Sequence, residues 1–487
     1  MGLLKNLLLL LIAVLTSLSL HSQVMWEQTL DIAASHFDNN HPRITTDRAG
    51  NPLAIWGKGS DLQFTRWNGT AFTQPIKLNP GTVTVASADW MGPDIATHGD
   101  TIYVVYKQSP EDLTTSHIWC IRSFDRGTSF EEPVRVDFTG DSLTRFPTVT
   151  VDDVGNPIIA FMKFNPTFGE ARWVVTRSDD FGATFSPDVK ASGWSGPASY
   201  VCDCCPGTIL CSGDVVTVIY RDNNLNIRDN WAAVSNDGGR SFIGGINVDQ
   251  QSWFLQNCPA SGPDGVMVGD SLYTISMNGE NIGELVYYNK ASISNMTCPE
   301  AKPVTDYLFG LIQNYPRMAN YGTAVAMLWR HSLNSNSQLG LFFTSDITKG
   351  FPATYDTLAL SNVINADVAL SLEKVFVVWQ DNNTNTVKYK SGAYESRTGI
   401  KETAAINDFE VYPNPSGDVW NVSGNTEHAL VTVELMDRYG RSISTKEIFA
   451  SGGKFQGSVN NTELPQGIYV LKVTDGKKEG VRMVVKK

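Results

Sequence analysis

The chain has 487 residues, of which 42% are hydrophobic and 18% charged. It is long enough for more than one domain and apolar enough to bury a core, which excludes disorder as its main state. A net charge of −12 argues against a nucleic-acid partner, which would need a cationic surface, while 41 glycines and 10% aromatics favour β-structure with tight turns.

Residues 1–22 read as a secretory signal peptide: Lys5 supplies positive charge, residues 7–20 form an apolar run, and Ser22 is a small residue before Gln23. No cysteine follows that run and no later segment is long and apolar enough to span a bilayer. The expected mature chain is exported through the periplasm, secreted or displayed at the outer cell surface, with no transmembrane anchor. Export permits disulfides, and the seven cysteines, an odd number, leave at least one unpaired or intermolecular.

A repeat fills the middle of the chain. Pro42, Pro93, Pro147, Pro206, Pro263 and Pro316 stand 51 to 59 residues apart, and a seventh unit without the proline starts near Asp367. Each unit opens with a short strand, and six of the seven then turn at a glycine (Gly50, Gly99, Gly155, Gly213, Gly269, Gly322). A strongly apolar second strand follows, such as 102–106 (IYVVY) or 375–379 (VFVVW). Repeated four-stranded antiparallel units of this length predict an all-β β-propeller of seven blades, with six as the alternative. Residues 24–32 are placed to complete the last blade.

Between third and fourth strands a second signature recurs: Ser123, Asp125, Gly127 and Phe130; Ser178, Asp180, Gly182 and Phe185; Ser235, Asp237, Gly239 and Phe242. The carboxylate is expected to accept backbone N–H bonds, the glycine to take positive φ, and the aromatic to bury between strands. These copies resemble the Asp-box (BNR) repeats of sialidase-like propellers, a resemblance covering about residues 23–394 that implies architecture and not chemistry.

Residues 395–407 read as a linker. From 408 to 487 come a Tyr412-Pro413-Asn414-Pro415-Ser416 opening, Asp437 to Arg441, Gly467-Ile468-Tyr469-Val470-Leu471, and a Lys486-Lys487 end, on alternating strand-like runs that predict a small β-sandwich. This segment closely resembles the type A C-terminal sorting domain of the type IX secretion system, which implies that machinery as a partner.

Propeller topology sorts residues by face. First-strand starts and second-strand ends share one side, the top, whose centre is the default ligand site. Second strands end there in Trp56-Gly57-Lys58, Tyr106-Lys107, Met162-Lys163, Tyr220-Arg221 and Trp329-Arg330, and Arg43 and Arg317 each follow a proline. These cations on one face favour an anionic ligand such as an extracellular glycan bearing carboxylate or sulfate; the alternative is a rim of ordinary solvated charges. Sialidases use an arginine cluster, a Tyr–Glu nucleophile pair and an Asp acid. By that resemblance Arg43, Arg221 and Arg317 stand for the cluster, Tyr315 with Glu280 or Glu284 for the pair, and Asp94 or Asp367 for the acid. The family's Arg-Ile-Pro order is permuted here to Pro42-Arg43-Ile44.

The cysteines also sort by face. Cys202, Cys204, Cys205 and Cys258 fall on top of adjacent blades and Cys211 and Cys298 at the bottom, so a Cys211–Cys298 bridge and up to two upper bridges are expected, with Cys120 a buried thiol. The alternative is a thiolate metal site from Cys202, Cys204, Cys205 and Cys258. No cofactor is expected. Three functions stay open: binding or processing of a glycan, by glycoside hydrolysis if an enzyme; non-catalytic surface binding or adhesion; and metal binding.

Overall fold

The computed structural model describes residues 23–138, 142–197, 199–257, 259–279, 283–334, 336–395, 409–426, 428–437, 442–475 and 479–487. The expected signal peptide, almost all of the expected linker, Cys258, Glu280 and residues 438–441 lie outside the described residues. Two compact units divide the chain, Met1–Ser396 and Arg397–Lys487.

The first unit is a seven-bladed propeller. Its inner strands are Asn39–Thr46, Asp94–His98, Leu143–Val151, Thr208–Ser212, Asp264–Val268, Leu311–Tyr321 and Val363–Ser371, each the edge of a four-stranded antiparallel sheet or of its extension. Consecutive inner strands pack side by side, and the seventh packs against the first. Second strands such as Pro52–Lys58 and Thr101–Ser109 are buried along most of their length, because both faces of a blade are covered by neighbouring blades. That removes the polar–apolar alternation of a half-exposed strand and accounts for the unbroken apolar runs in the sequence. Each of the seven blade interfaces holds its own apolar cluster.

The ring closes through the chain's beginning. Val24–Trp26 pairs antiparallel with Thr386–Tyr394 of blade seven, Val24 is buried in the six–seven cluster, and Trp26 Nε1 donates to Asp356 Oδ2 at 2.8 Å. Leu30–Asp31 pairs on the same strand.

The three Ser-x-Asp-x-Gly segments fold alike. In blade two, Asp125 Oδ1 accepts from Ser123 Oγ at 2.8 Å and from the backbone N–H groups of Thr128 and Ser129 at 2.9 Å. Ser123 Oγ accepts from Gly127 N–H at 2.9 Å. Gly127, Gly182 and Gly239 take φ of 75°, 81° and 81°. Hydroxyl and amide donors, from Ser129 and Thr184 respectively, hold the Asp125 and Asp180 carboxyls down to about 2. In blade six Asp346 instead caps a 3-10 turn, Ile347–Lys349.

The second unit packs a three-stranded sheet (Phe409–Tyr412, Val419–Asn425, Lys454–Asn460) with a four-stranded one (Ser442–Phe449, Leu430–Met436, Gly467–Thr474, Glu479–Lys486). Trp420, Val433, Phe455 and Leu471 share its core. Among the described residues no helix is long and apolar enough to cross a membrane.

Candidate functional site

Four inner strands begin with a distortion that the sequence did not announce. Pairing slips between Asn40 and Arg43, between Arg145 and Thr148, between Asn314 and Arg317, and between Val363 and Ala366. In the three slips that hold a proline, the residue before it has positive φ: His41 at 52°, Phe146 at 53° and Tyr315 at 52°. Bulky residues in this left-handed region are strained, and such strain concentrates at ligand sites. All three line one pocket at the top of the central channel, with Arg43, Trp90, Asp94, Arg317 and Asn365. The pocket encloses about 50 Å³, room for a single small group and not for a sugar ring. Gly92 lies flat against the His41 ring, where a Cβ would collide.

Arg43 is the buried charge at this point. Its Nη1 donates to Pro42 O at 2.9 Å and Asn365 Oδ1 at 3.1 Å, and its Nη2 meets His41 Nε2 at 2.7 Å. That contact makes Nε2 an acceptor, while Nδ1 lies 3.1 Å from Asn365 Nδ2 and near the backbone carbonyls of Ala88 and Asp89. Burial first, then the charges of Arg43 and Arg317, push the His41 pKa well below its usual value, so the ring is neutral. Burial, and then the charge of Arg317, also lower Arg43 to about 10, against the opposing pull of Asp367, Asp94 and Asp264. Among the described residues no carboxylate lies within ion-pair distance of Arg43.

The aspartates are differently engaged. Asp94 Oδ2 accepts from Val149 N–H at 3.0 Å and Thr148 Oγ1 at 2.8 Å. Asp264 Oδ2 accepts from Met318 N–H at 2.8 Å, and Asp367 Oδ2 from Ile44 N–H at 2.9 Å. Each carboxylate thus latches its inner strand to the next blade's. Arg317 sits between two of them, with Nε 2.8 Å from Asp367 Oδ1 and 3.3 Å from Asp264 Oδ2. Asp94 and Asp367, expected as acid candidates, therefore serve as backbone latches. Tyr315 lines the pocket, its phenol pushed up by burial and Asp89 and pulled back by Arg330. Glu284 stands exposed beside Gly279 in blade five.

The expected convergence of cations is only partly realised. Arg221 is fully buried, donating to Ser261 O at 3.3 Å and Arg228 O at 2.8 Å and stacking 5.2 Å from the Trp253 ring. It is a core residue because its blade's loops fold over it. Trp329 packs wholly inside the five–six cluster. Lys107 is buried against Glu111 at 3.2 Å, Lys163 pairs with Asp188 at 2.8 Å, Lys58 is half-buried, and Arg330 Nε is buried without a hydrogen-bond partner. Of the seven cations, only Arg43 and Arg317 line the central pocket. His41, Trp90 and Asn365 were missed; the one sequence signal was the bulky residue preceding the blade-opening proline.

The cysteines follow expectation only in part. Cys211 and Cys298 carry free thiols: Cys211 packs against the three–four cluster and Cys298 against the four–five cluster. Cys120 is a free buried thiol. Cys204 is disulfide-bonded, whereas Cys202 and Cys205 are thiols with sulfurs 3.2 Å apart. The sulfurs of Cys202, Cys204 and Cys205 lie within 4.8 Å of one another, but the bond at Cys204 denies a metal ion that third thiolate.

Comparison with known proteins bears on the two units differently. Residues 410–487 match the family model "Secretion system C-terminal sorting domain". That segment is a sorting domain. It marks the chain for a secretion machinery, to the cell surface or beyond. A search of curated protein sequences finds no match. Among solved structures, the polysaccharide lyase Uly1 is similar at 11% identity over 76% of this chain and 100% of its own, with a TM-score of 0.49. The α-L-arabinofuranosidase Arb93A of Fusarium graminearum is similar at 11% identity over 67% and 99%, TM-score 0.47. Trypanosoma rangeli sialidase is similar at 11% over 93% and 84%, TM-score 0.42.

Proposed function

We propose that this is an exported propeller that binds an anionic extracellular glycan on its top face, through type IX secretion and release or display outside the cell. One observation carries the reading: Arg43 is buried, fixed by His41 and Asn365, lines the pocket, and has no carboxylate within ion-pair distance among the described residues. A buried guanidinium calls for a counter-charge. A carboxylate or sulfate fills a pocket of about 50 Å³, while the ring that bears it rests on the rim formed by Trp90 and Tyr315. Recognition rather than hydrolysis is favoured because Asp94, Asp264 and Asp367 are tied to backbone N–H groups and to Arg317.

The test is equilibrium binding of the native chain to uronate- and sulfate-bearing oligosaccharides, with Arg43→Gln and, as a rim control, Lys163→Gln. Hydrogen bonds to a charged group contribute about 1.5–3 kcal/mol, so Arg43→Gln is expected to weaken binding by about 10- to 150-fold, with Lys163→Gln near wild type. Equal loss in both variants, or release of reducing ends from the oligosaccharide, contradicts the reading.

A further inference from the structure

Blade four carries a second unusual group, just before Pro206 and Gly207, which help line the central pocket. Cys202 and Cys205 close a tight turn, Cys205 N–H donating to Cys202 O at 3.2 Å, and Cys202 N–H donates to Arg221 O at 2.9 Å. The turn is held from outside by Arg145, whose Nη1 donates to Asp203 O at 3.0 Å. Both sulfurs are buried, while Asp203 between them is exposed and Cys204 half-buried.

Arg228 explains what this turn is built to hold. It is 6% exposed. Its Nε donates to Leu255 O at 2.7 Å, its Nη2 to Gln256 O at 3.3 Å, and its Nη1 to Cys202 Sγ at 3.0 Å. Among the described residues no carboxylate pairs with Arg228. A buried guanidinium needs an anion, and the atom it meets is sulfur. Arg221 lies near both thiols and is likewise satisfied by backbone carbonyls. The hydrogen bond from Cys205 outweighs burial, and with Arg221 and Arg228 it draws Cys202 down to about 7, whereas burial pushes Cys205 well up. One stabilised thiolate, one retained proton and a spacing of three residues are the arrangement of a reactive dithiol.

We propose that Cys202 and Cys205 form a redox-active dithiol that exchanges with low-molecular-weight disulfides, Cys202 being the attacking thiolate and Cys205 the resolving thiol. Cys202 S⁻ attacks one sulfur of the small disulfide, forming a mixed disulfide and expelling one small thiolate. Cys205 loses its proton to solvent, and its thiolate attacks Cys202 Sγ. The Cys202–Cys205 bond forms and the second small thiolate leaves. Two protein thiols are oxidised and one disulfide is reduced to two thiols. The buried sulfurs suit a small oxidant, and the exposed Asp203 is where the turn meets solvent.

The experiment uses the full chain, equilibrated in mixtures of reduced and oxidised glutathione, quenched with a maleimide and read by peptide mass. The expected result is loss of both labels together at residues 202 and 205 in one two-electron transition, while Cys211 and Cys298 stay labelled. On the reduced wild-type chain, alkylation of Cys202 by iodoacetamide is expected to rise with pH around neutrality, the groups facing it being Cys205, Arg221 and Arg228. Arg228→Gln is expected to slow that alkylation at least tenfold at pH 6. The wild-type pH profile stands by itself if the variant fails to fold. Inert thiols at every pH and redox ratio, or a metal ion retained through both sulfurs in the native mass, overturn the proposal.

Discussion

Asp367→Ala tests the latches that hold the ring of blades together. Asp367 is buried and makes two bonds that differ in kind. It accepts Ile44 N–H at 2.9 Å, joining blade seven to blade one, and it pairs with Arg317 at 2.8 Å. Removing one partner of a buried ion pair costs about 3–5 kcal/mol, and a buried backbone N–H left without an acceptor costs about 1–3 kcal/mol. Asp264, 3.3 Å from the same Arg317 nitrogen, retains part of the pairing, so the sum overlaps and the net loss is expected at about 3–5 kcal/mol. Asp367→Asn keeps an acceptor for Ile44 and removes only the charge, and is expected to lose about half as much. Urea unfolding followed by tryptophan fluorescence reads both. A loss below about 1 kcal/mol for Asp367→Ala, the range of a surface pair, would refute the latch.

Three further outcomes follow from the same structure. Asp249 is fully buried with Oδ1 unpartnered, and burial, with the charge of Asp229, pushes its carboxyl up to about 7. The folded chain therefore holds that proton more tightly than the unfolded chain, where aspartate titrates near about 3.9, and the contribution of Asp249 to stability falls as pH rises between those values; Asp249→Asn flattens this slope in urea titrations from pH 4 to 8. Gly182 has φ of 81°, with Tyr103 3.3 Å from a Cβ placed there; Gly182→Ala lowers stability by about 1–2 kcal/mol, read by thermal melting against Gly81→Ala, where φ lies outside the left-handed region and nothing lies within 4 Å. Val24→Asp buries a charge in the closing strand and opens the ring, seen as faster amide exchange across 386–394 and undisturbed exchange across 271–278.

The blades were legible because two local signals agree six times, a strand opening near a proline and an apolar run covered on both faces, and the apolar run recurs a seventh time without the proline. The closing strand was legible too, since blade seven ran out of sequence while 24–32 remained unassigned. The site was far less so. Arg221 and Arg317 look alike in sequence, each a cation at a strand end, yet one is sealed under the loops of blade four and the other neutralised between Asp264 and Asp367. Asp94 and Asp367 offered themselves as acids because a carboxylate's partners, here N–H groups some 50 residues away or at the far end of the chain, cannot be read from its neighbours. His41 carried no motif; its role arises from a pairing slip that turns it onto Arg43. The bridge expected between Cys211 and Cys298 does not form, because the two side chains pack against different blade interfaces.

The claim that Arg43 waits for an anion is tested most directly by titrating the native chain with a uronate oligosaccharide and with its methyl ester. The two ligands share shape and differ in charge at the group that enters the pocket. The account predicts heat and saturation with the acid, at least tenfold weaker binding of the ester, and no difference between the two in Arg43→Gln. Equal affinity of wild type for acid and ester would contradict it.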